Sequence, residues 1–147
     1  MEGRVPEATP IGALVMEVTR GSSNNFFQVA TLVRAATALE ATVQVLFRGD
    51  AVVKLRRDHI NLDEWTSIYE PVRDSLRERL RAAEFVDMEG FLRDAKEHGN
   101  EVKFWVSEET LRAEDLTLDR LVASIDGALS DEEFARFAGE ARISLTF

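Results

Sequence analysis

The run Ile11–Thr19 (IGALVMEVT), the turn Arg20–Asn25 (RGSSNN) and the helical stripe after them decide the fold class. The run is apolar at most positions, which is typical of a strand buried on both faces of a parallel sheet. Glycine permits the turn, and serine or asparagine can cap the helix that follows. From Phe26 onward, apolar or small residues recur at helical spacing, as at Val29 and Val33. The stretch therefore predicts a strand, a turn and a helix.

The same alternation continues along the chain. Further strands are predicted from apolar or alternating runs at Thr42–Phe47, Glu101–Val106, Leu121–Ile125 and Arg142–Phe147. Asp87 is a helix cap, and the sequence Ser-Asp-Glu-Glu from Ser130 is a capping box that opens another helix. This order predicts a three-layer α/β fold with a mainly parallel sheet of about five strands and helices on both faces.

One segment departs from the alternation. We predict a single domain over 1–147, with an N-terminal tail at 1–10 and a helical insertion at about 57–85. Apolar residues of the insertion, from Trp65 and Tyr69 to Leu80, follow a 3.6-residue spacing. Pro71 should either kink one helix or begin a second. We expect the insertion to provide contacts to partners or to other copies, with Trp65 and Tyr69 at that interface.

Charge and composition exclude several function classes. The net charge is −9, and ten carboxylates face three arginines between Ser107 and Glu140, so nucleic-acid binding is not expected. The chain has no cysteine, which excludes disulfides, thiolate metal sites and a cysteine nucleophile. No run is long and apolar enough for a bilayer, and residues 1–10 lack the apolar core of a signal peptide. We therefore expect a cytoplasmic protein.

Three turns after predicted strands carry the candidate ligand-binding residues. The turn after the first strand could offer free N–H groups and a helix N-terminus to a small anion or a nucleotide, or it could simply be a capped turn. The acid after the second strand could bind a hydroxylated ligand or cap the next helix. The acids after the third strand could act in acid–base chemistry or complement a helix dipole. These candidates are Arg20, Gly21, Ser22, Ser23, Asn24, Asn25, Gly49, Asp50, Ser107 and Glu108.

The order of these pieces resembles the DsrE/DsrF-like family, to which the TusD-like sulfur-relay subunits belong. The turn Arg20–Asn25 leads into a helix rich in small residues, and Phe47–Val52 (FRGDAV) is similar to the family's Gly-Asp-Gly turn, with Ala51 in place of the last glycine. A helix ending in His98-Gly99-Asn100 leads into Glu101–Val106, as in the family's third strand, and Ala141–Phe147 is similar to its closing strand. The likeness covers most of the chain outside about 57–85.

The resemblance implies the fold, assembly into trimers, hexamers or hetero-oligomers, and a pocket at the strand ends. It does not imply sulfur transfer, because the family's sulfur carriers hold a persulfide on a cysteine at or just past the third strand. This chain has Ser107-Glu108 there, and a hydroxyl stays protonated near neutral pH. We expect no cofactor, no metal and no catalytic residue.

These observations leave three hypotheses. The first is a non-catalytic DsrE-like binding or scaffolding subunit in cytoplasmic sulfur metabolism, self-assembled or paired with a cysteine-bearing partner. The second is a receptor for a small anion or a nucleotide at the strand-end pocket. The third is a hydrolase or isomerase that uses Glu108 or Glu109.

Overall fold

The computed structural model describes residues 12–83, 85–99 and 101–147. The tail expected at 1–10 lies outside the described residues, as does Ile11 of the first predicted strand. In chain order the elements are β1 Ala13–Val18, α1 Ser23–Ala38, β2 Thr42–Phe47, α2 Asp50–Lys54, a 3-10 helix Ser67–Val72, α3 Arg73–Ala82, α4 Met88–Glu97, β3 Val102–Ser107, α5 Glu108–Ala113, a 3-10 helix Leu118–Arg120, β4 Gly127–Leu129, α6 Asp131–Glu140 and β5 Ile143–Thr146.

The five strands form one parallel sheet in the order β4-β3-β2-β1-β5. The central register aligns Met16 with Val45, and Val45 with Phe104. Because every strand runs the same way, the turns that follow β1, β2 and β3 lie at one edge of the sheet. The predicted fold class, an α/β fold with a mainly parallel five-stranded sheet and helices on its faces, is confirmed.

Alternate residues of β1 and β2 enter two separate cores. Met16 and Phe47 belong to the larger core, which also contains buried residues of α1 and α4 such as Phe26 and Leu92. Val15 and Leu46 point to the other face and pack with Phe134 of α6. The near-continuous apolar character of β1 and β2 follows from this arrangement, since both faces of these strands are covered.

The fourth strand is the one element that the sequence misplaces. The apolar run Leu121–Ile125 was predicted as a strand, but β4 is Gly127–Leu129, and only these three residues pair with β3. Leu121 and Val122 are buried for another reason. The segment crosses the residues after α2, where Leu121 bridges Arg56 in the antiparallel sense and the Val122 N–H donates to the Leu55 carbonyl.

The insertion is helical only from Ser67 onward. Pro71 lies in the 3-10 helix and α3 begins two residues later, so the proline precedes a second helix instead of kinking one. Neither of these two helices contains a buried residue. These two helices therefore lie on the outside of the domain, whereas Ile60, near the start of the insertion, is buried in the larger core. Within the described residues, no helix combines the length and apolar character that a bilayer crossing needs.

Candidate functional site

A cavity of about 460 Å³ opens at the edge of the sheet where β1, β2 and β3 end. Its volume falls in the usual range of small-molecule sites. Its wall is formed by the turn after β1, the helix after β2, the start of the insertion and Glu114, the residue that follows the last turn of α5. The lining residues are Gly21, Ser22, Asp50, Val53, Lys54, His59, Glu64, Trp65, Thr66 and Glu114.

Two glycines allow the turns after β1 and β2 to meet at this cavity. A Cβ atom on Gly21 would lie 2.6 Å from the carbonyl oxygen of Asp50, so only glycine permits this approach. Gly49 has φ +59° and ψ −131°, a conformation that side chains rarely adopt. The Gly49 N–H donates to Thr110 Oγ1 at 3.0 Å, which ties this turn to α5. Gly49 is also the N-cap of α2, and Asp50 lies in the first turn of the helix. Of the two alternatives open for Asp50, ligand binding or capping, the capping one therefore does not hold.

The first and third N–H groups of α1, those of Ser23 and Asn25, are bonded within the protein. The Ser22 hydroxyl accepts from the Asn25 N–H at 3.3 Å, and the Ser23 N–H donates to the Glu64 carbonyl at 2.8 Å. The Asn25 side-chain amide donates to the Arg20 carbonyl at 2.9 Å. These contacts consume donors that a bound anion would need. The capped-turn interpretation of Arg20–Asn25 therefore describes the geometry better than an anion site.

The partner of this helix end is the segment Leu62–Thr66, which we call the strap. Ser23 Oγ donates to the Leu62 carbonyl at 3.2 Å and accepts from the Glu64 N–H at 2.9 Å. The Thr66 N–H donates to Asn24 Oδ1 at 3.0 Å. Ser23 and Asn24, predicted as ligand-binding residues, are therefore bound to the strap and do not line the cavity.

The buried side chain of Lys54 holds the strap in place through hydrogen bonds. Lys54 is 1% exposed, and its Nζ donates to the Leu62 carbonyl at 2.7 Å, to Glu64 Oε1 at 2.9 Å and to the His59 carbonyl at 3.3 Å. All three ammonium protons thus have acceptors. Lys54 is therefore a structural cross-link between α2 and the strap, and it has no donor left for a ligand.

The remaining polar lining of the cavity is acidic. Three carboxylates line it, those of Asp50, Glu64 and Glu114, against the single ammonium of Lys54. Glu64 is the partner of Lys54, while Asp50 and Glu114 are exposed and have no ion-pair partner among the residues that the structure describes. Nowhere in that part of the chain do three or more His, Cys, Asp or Glu side chains form a group that could hold a metal ion. The electrostatics favour neither an anion nor a bare metal.

Ser107, at the end of the third strand, is 1% exposed and is used structurally. Its hydroxyl caps α5, accepting from the Thr110 N–H at 3.2 Å and donating to Glu109 Oε2 at 3.3 Å. Neither Ser107 nor Glu108 lines the cavity. The hydroxyl is therefore not presented to a substrate.

Glu109 is a helix-start acid. Its carboxylate is stabilised by hydrogen bonding to its own backbone N–H, and to a smaller extent by the Ser107 hydroxyl and Arg112, which lowers its pKa from the usual 4.5. A lowered pKa keeps the group ionised at neutral pH, so it is not a proton donor there. Its contribution to stability is present above the unfolded-state pKa and is lost as the pH falls through the lowered value. The dipole interpretation accounts for this residue without catalysis.

Arg48, beside the predicted Gly49-Asp50 site, connects the sheet edge to the second helical layer. Its Nη2 contacts Asp131 Oδ1 of α6 at 2.6 Å, and its Nε lies 3.4 Å from Glu17 Oε1 on β1. The capping box at the start of α6 is present as predicted, with the Ser130 hydroxyl bound by the Glu133 N–H and the Glu133 carboxylate bound by the Ser130 N–H. These contacts hold α6 against this edge of the sheet, on the face opposite the one that carries the cavity.

Trp65 and Tyr69, the predicted interface residues, are half-buried and turn toward α1. Their rings meet edge to face with centroids 5.9 Å apart. Together with Phe27 they line a groove of about 410 Å³ between α1 and the insertion. The outward apolar side chains of the insertion are different ones: Ile68 is 79% exposed and Val72, one turn further, is 44% exposed.

Of the ten predicted ligand residues, the structure brings three to the cavity: Gly21, Ser22 and Asp50. Sequence reasoning missed the rest of the wall. Lys54, His59, Glu64 and Glu114 follow no recognisable motif, and three of them come from the irregular start of the insertion or from the end of α5. The one sequence signal that could have pointed to these residues is that, like the predicted turns, they follow the ends of predicted strands.

Several solved structures share this fold, including the following two. A protein of unknown function, MTH1491 from Methanobacterium thermoautotrophicum, is 18% identical with a TM-score of 0.63, and the alignment covers 92% of this chain and 98% of that one. The ychN protein from E. coli is 13% identical with a TM-score of 0.61, covering 92% and 99%. No protein-family model and no curated protein matches the chain. At these identities the likeness shows the fold alone: the chain has the same α/β architecture as these two proteins over nearly all of its length.

Proposed function

We propose that the chain is a non-catalytic DsrE-like subunit of cytoplasmic sulfur metabolism, which binds a ligand or partner and assembles with other subunits. Assembly is with further copies, as a trimer or hexamer, or with a cysteine-bearing relative. The order of motifs from Arg20–Asn25 to Ala141–Phe147 supports the family assignment. The common fold with MTH1491 and ychN is consistent with it but carries no function.

The main support for a non-catalytic role is the burial of Ser107 and the use of its hydroxyl as a helix cap. The chain has no cysteine, and the serine at the resembling position is buried and spends its hydroxyl on capping α5. Lys54 is engaged in three hydrogen bonds. The cavity therefore presents no activated nucleophile, although its location suits binding.

The exposed apolar side chains of the insertion support the assembly part. Leu62, Ile68, Val72 and Val86 are between 44% and 89% exposed, and all lie within or next to the insertion. Exposed apolar residues concentrated in one segment are typical of a protein–protein contact. Trp65 and Tyr69 lie in the same segment and pack edge to face, so we keep them in the proposed interface.

Light scattering on purified variants tests the assembly surface. We expect Ile68→Ser with Val72→Ser to reduce the mass of the complex, whereas Leu118→Ser, at a leucine as exposed as Val72, should leave it unchanged. Replacing Trp65 and Tyr69 by alanine should also dissociate the complex while the far-ultraviolet spectrum persists. If both double variants keep the parental mass, the insertion is not the interface.

A further inference from the structure

We propose that two copies of the chain join through β3, because the amino-terminal half of this strand is an open edge of the sheet. The strand of one copy adds antiparallel to the same strand of the other, so that Val102 pairs with Val102 of the second copy. The inference rests on the proposed assembly and deepens it, since it assigns a contact surface separate from the insertion. The short pairing of β4, a cavity beside β3 and the charges on either side of Val102 support it.

The edge is open because β4 is too short to cover it. β4 pairs with Trp105–Ser107 and has no residue opposite Val102 or Lys103. The Val43 N–H donates to the Glu101 carbonyl at 2.9 Å, so the odd-numbered residues of β3 direct their backbone groups toward β2. Val102 therefore directs its N–H and C=O to the open side, where neither has a hydrogen-bond partner among the described residues. A backbone donor and acceptor in a residue that is only 5% exposed need partners.

A cavity of about 780 Å³ lies along this open edge, and we call it the β3 slot. Val102 and the segment 123–124 both contribute to its wall. Lys96 of α4 holds the chain just after this segment, since its Nζ donates to Asp126 Oδ2 at 2.8 Å. The chain bonds to β3 at Phe104, whose N–H donates to the same carboxylate and whose C=O accepts from the Asp126 N–H, both at 2.8 Å. The space beside Val102 is therefore left for a further strand, which adds at a spacing of about 4.8 Å.

The charges on either side of Val102 identify a second copy as the occupant of the β3 slot. Glu101 and Lys103 flank Val102, and both are exposed without an ion-pair partner among the residues that the structure describes. When two β3 strands pair with Val102 opposite Val102, the two valines exchange both backbone hydrogen bonds, and Lys103 of each copy lies opposite Glu101 of the other. Opposite charges directly across an antiparallel pair are stabilising.

The symmetry of this contact doubles each interaction. A two-fold contact repeats every pair, so two Glu101–Lys103 pairs form at once. Arg93 and Glu97 of α4, which also line the β3 slot, are again one of each sign. The edge is therefore complementary to itself in charge, whereas an edge with charges of one sign would repel its own copy.

Charge reversal, measured by sedimentation equilibrium, tests the inference. We expect Lys103→Glu and Glu101→Lys each to weaken self-association by at least about tenfold, since each turns two attractive pairs into two repulsive ones. The double variant, Glu101→Lys with Lys103→Glu, restores opposite charges and should associate nearly as well as the parent. Arg136→Glu, at an exposed position of α6, is the control, because it changes the net charge as much as Lys103→Glu does. Single reversals that leave self-association unchanged, a double variant that does not restore it, or equal weakening by Arg136→Glu overturns the inference.

Engineered cysteines test the register, because the chain has no cysteine of its own. In the proposed pair, position 101 of one copy lies opposite position 103 of the other, with a Cα separation of about 4.5 Å that suits a disulfide. Under a mild thiol oxidant, a mixture of Glu101→Cys and Lys103→Cys should form the mixed dimer faster than either variant forms its own dimer. Mass spectrometry distinguishes the three dimers. Their formation in statistical proportions contradicts the proposed register.

The insertion variant Ile68→Ser with Val72→Ser separates this inference from the proposed function. A complex that this variant dissociates but Lys103→Glu does not overturns the β3 contact and leaves assembly through the insertion standing. A complex that Lys103→Glu weakens and the double reversal restores, but that the insertion variant leaves intact, supports the β3 contact and overturns the insertion as the interface. A parent protein that stays monomeric at every concentration overturns both.

Discussion

The residue on which the site depends most is Lys54. Its side chain is buried and holds the His59 and Leu62 carbonyls and the Glu64 carboxylate in place. Lys54→Met keeps the apolar stem but leaves these acceptors without their donor. We expect a loss of about 2 kcal/mol in the free energy of unfolding, mainly from the two carbonyls, because Glu64 is 44% exposed and can be hydrated. Urea unfolding of the variant and the parent protein measures this loss in the free energy of unfolding.

Glu64→Gln is the matched control for Lys54. It removes the charge but keeps an oxygen within reach of the ammonium, and both carbonyl acceptors remain bonded. We expect a loss of less than about 1 kcal/mol, as for a half-exposed ion pair. Equal losses in the two variants would mean that the ion pair, and not the carbonyl contacts, holds the strap.

Ser107 provides a test of whether a cysteine at this position could act as a sulfur carrier. A thiol introduced by Ser107→Cys should react with a disulfide reagent at least about tenfold more slowly than one introduced by Ser75→Cys, which is exposed on α3, because access limits thiol reactivity. The absorbance of the reagent's chromophore measures the reaction rates of both thiols. Similar rates would show that the position is open to solvent and that a cysteine there could serve as a carrier.

At the scale of elements, the strap is hydrogen-bonded to side chains of both α1 and α2. Ser23→Ala removes the two hydrogen bonds that the Ser23 hydroxyl makes with the strap, to the Leu62 carbonyl and from the Glu64 N–H. We expect faster amide exchange over 62–66 and a loss of about 1–3 kcal/mol, because the Glu64 N–H loses its acceptor. Thr31→Ala is the control, since Thr31 bonds only within α1. Unchanged exchange in the strap would contradict this account.

Most elements could be predicted from the sequence because their signals are local. The bounds of β2 are those of its apolar run, Asp87 caps α4, and Ser130 with Glu133 forms the predicted capping box. β4 could not be predicted, because three residues that include Gly127 have no periodicity. The stronger apolar run at Leu121–Ile125 is explained by a long-range bridge to Arg56, which no local pattern encodes.

At the scale of the whole molecule, the parallel sheet determines which residues can meet. Once the strands are known, the turns containing Gly21 and Asp50 must lie at one edge, so this part of the cavity could be predicted. The other walls come from the strap and from Glu114, whose positions depend on packing between segments distant in sequence. That packing also bonds the Ser23 N–H at the start of α1 to the Glu64 carbonyl of the strap.

Native mass spectrometry of the protein, purified gently from its own cells, shows directly whether the chain assembles. We expect a trimer or hexamer with a mass that is a multiple of the 16.5 kDa subunit, or a mixed complex with a cysteine-bearing relative. Additional mass per subunit would identify the bound ligand. A bare monomer of 16.5 kDa would contradict the proposal that this chain is an assembling, ligand-binding subunit.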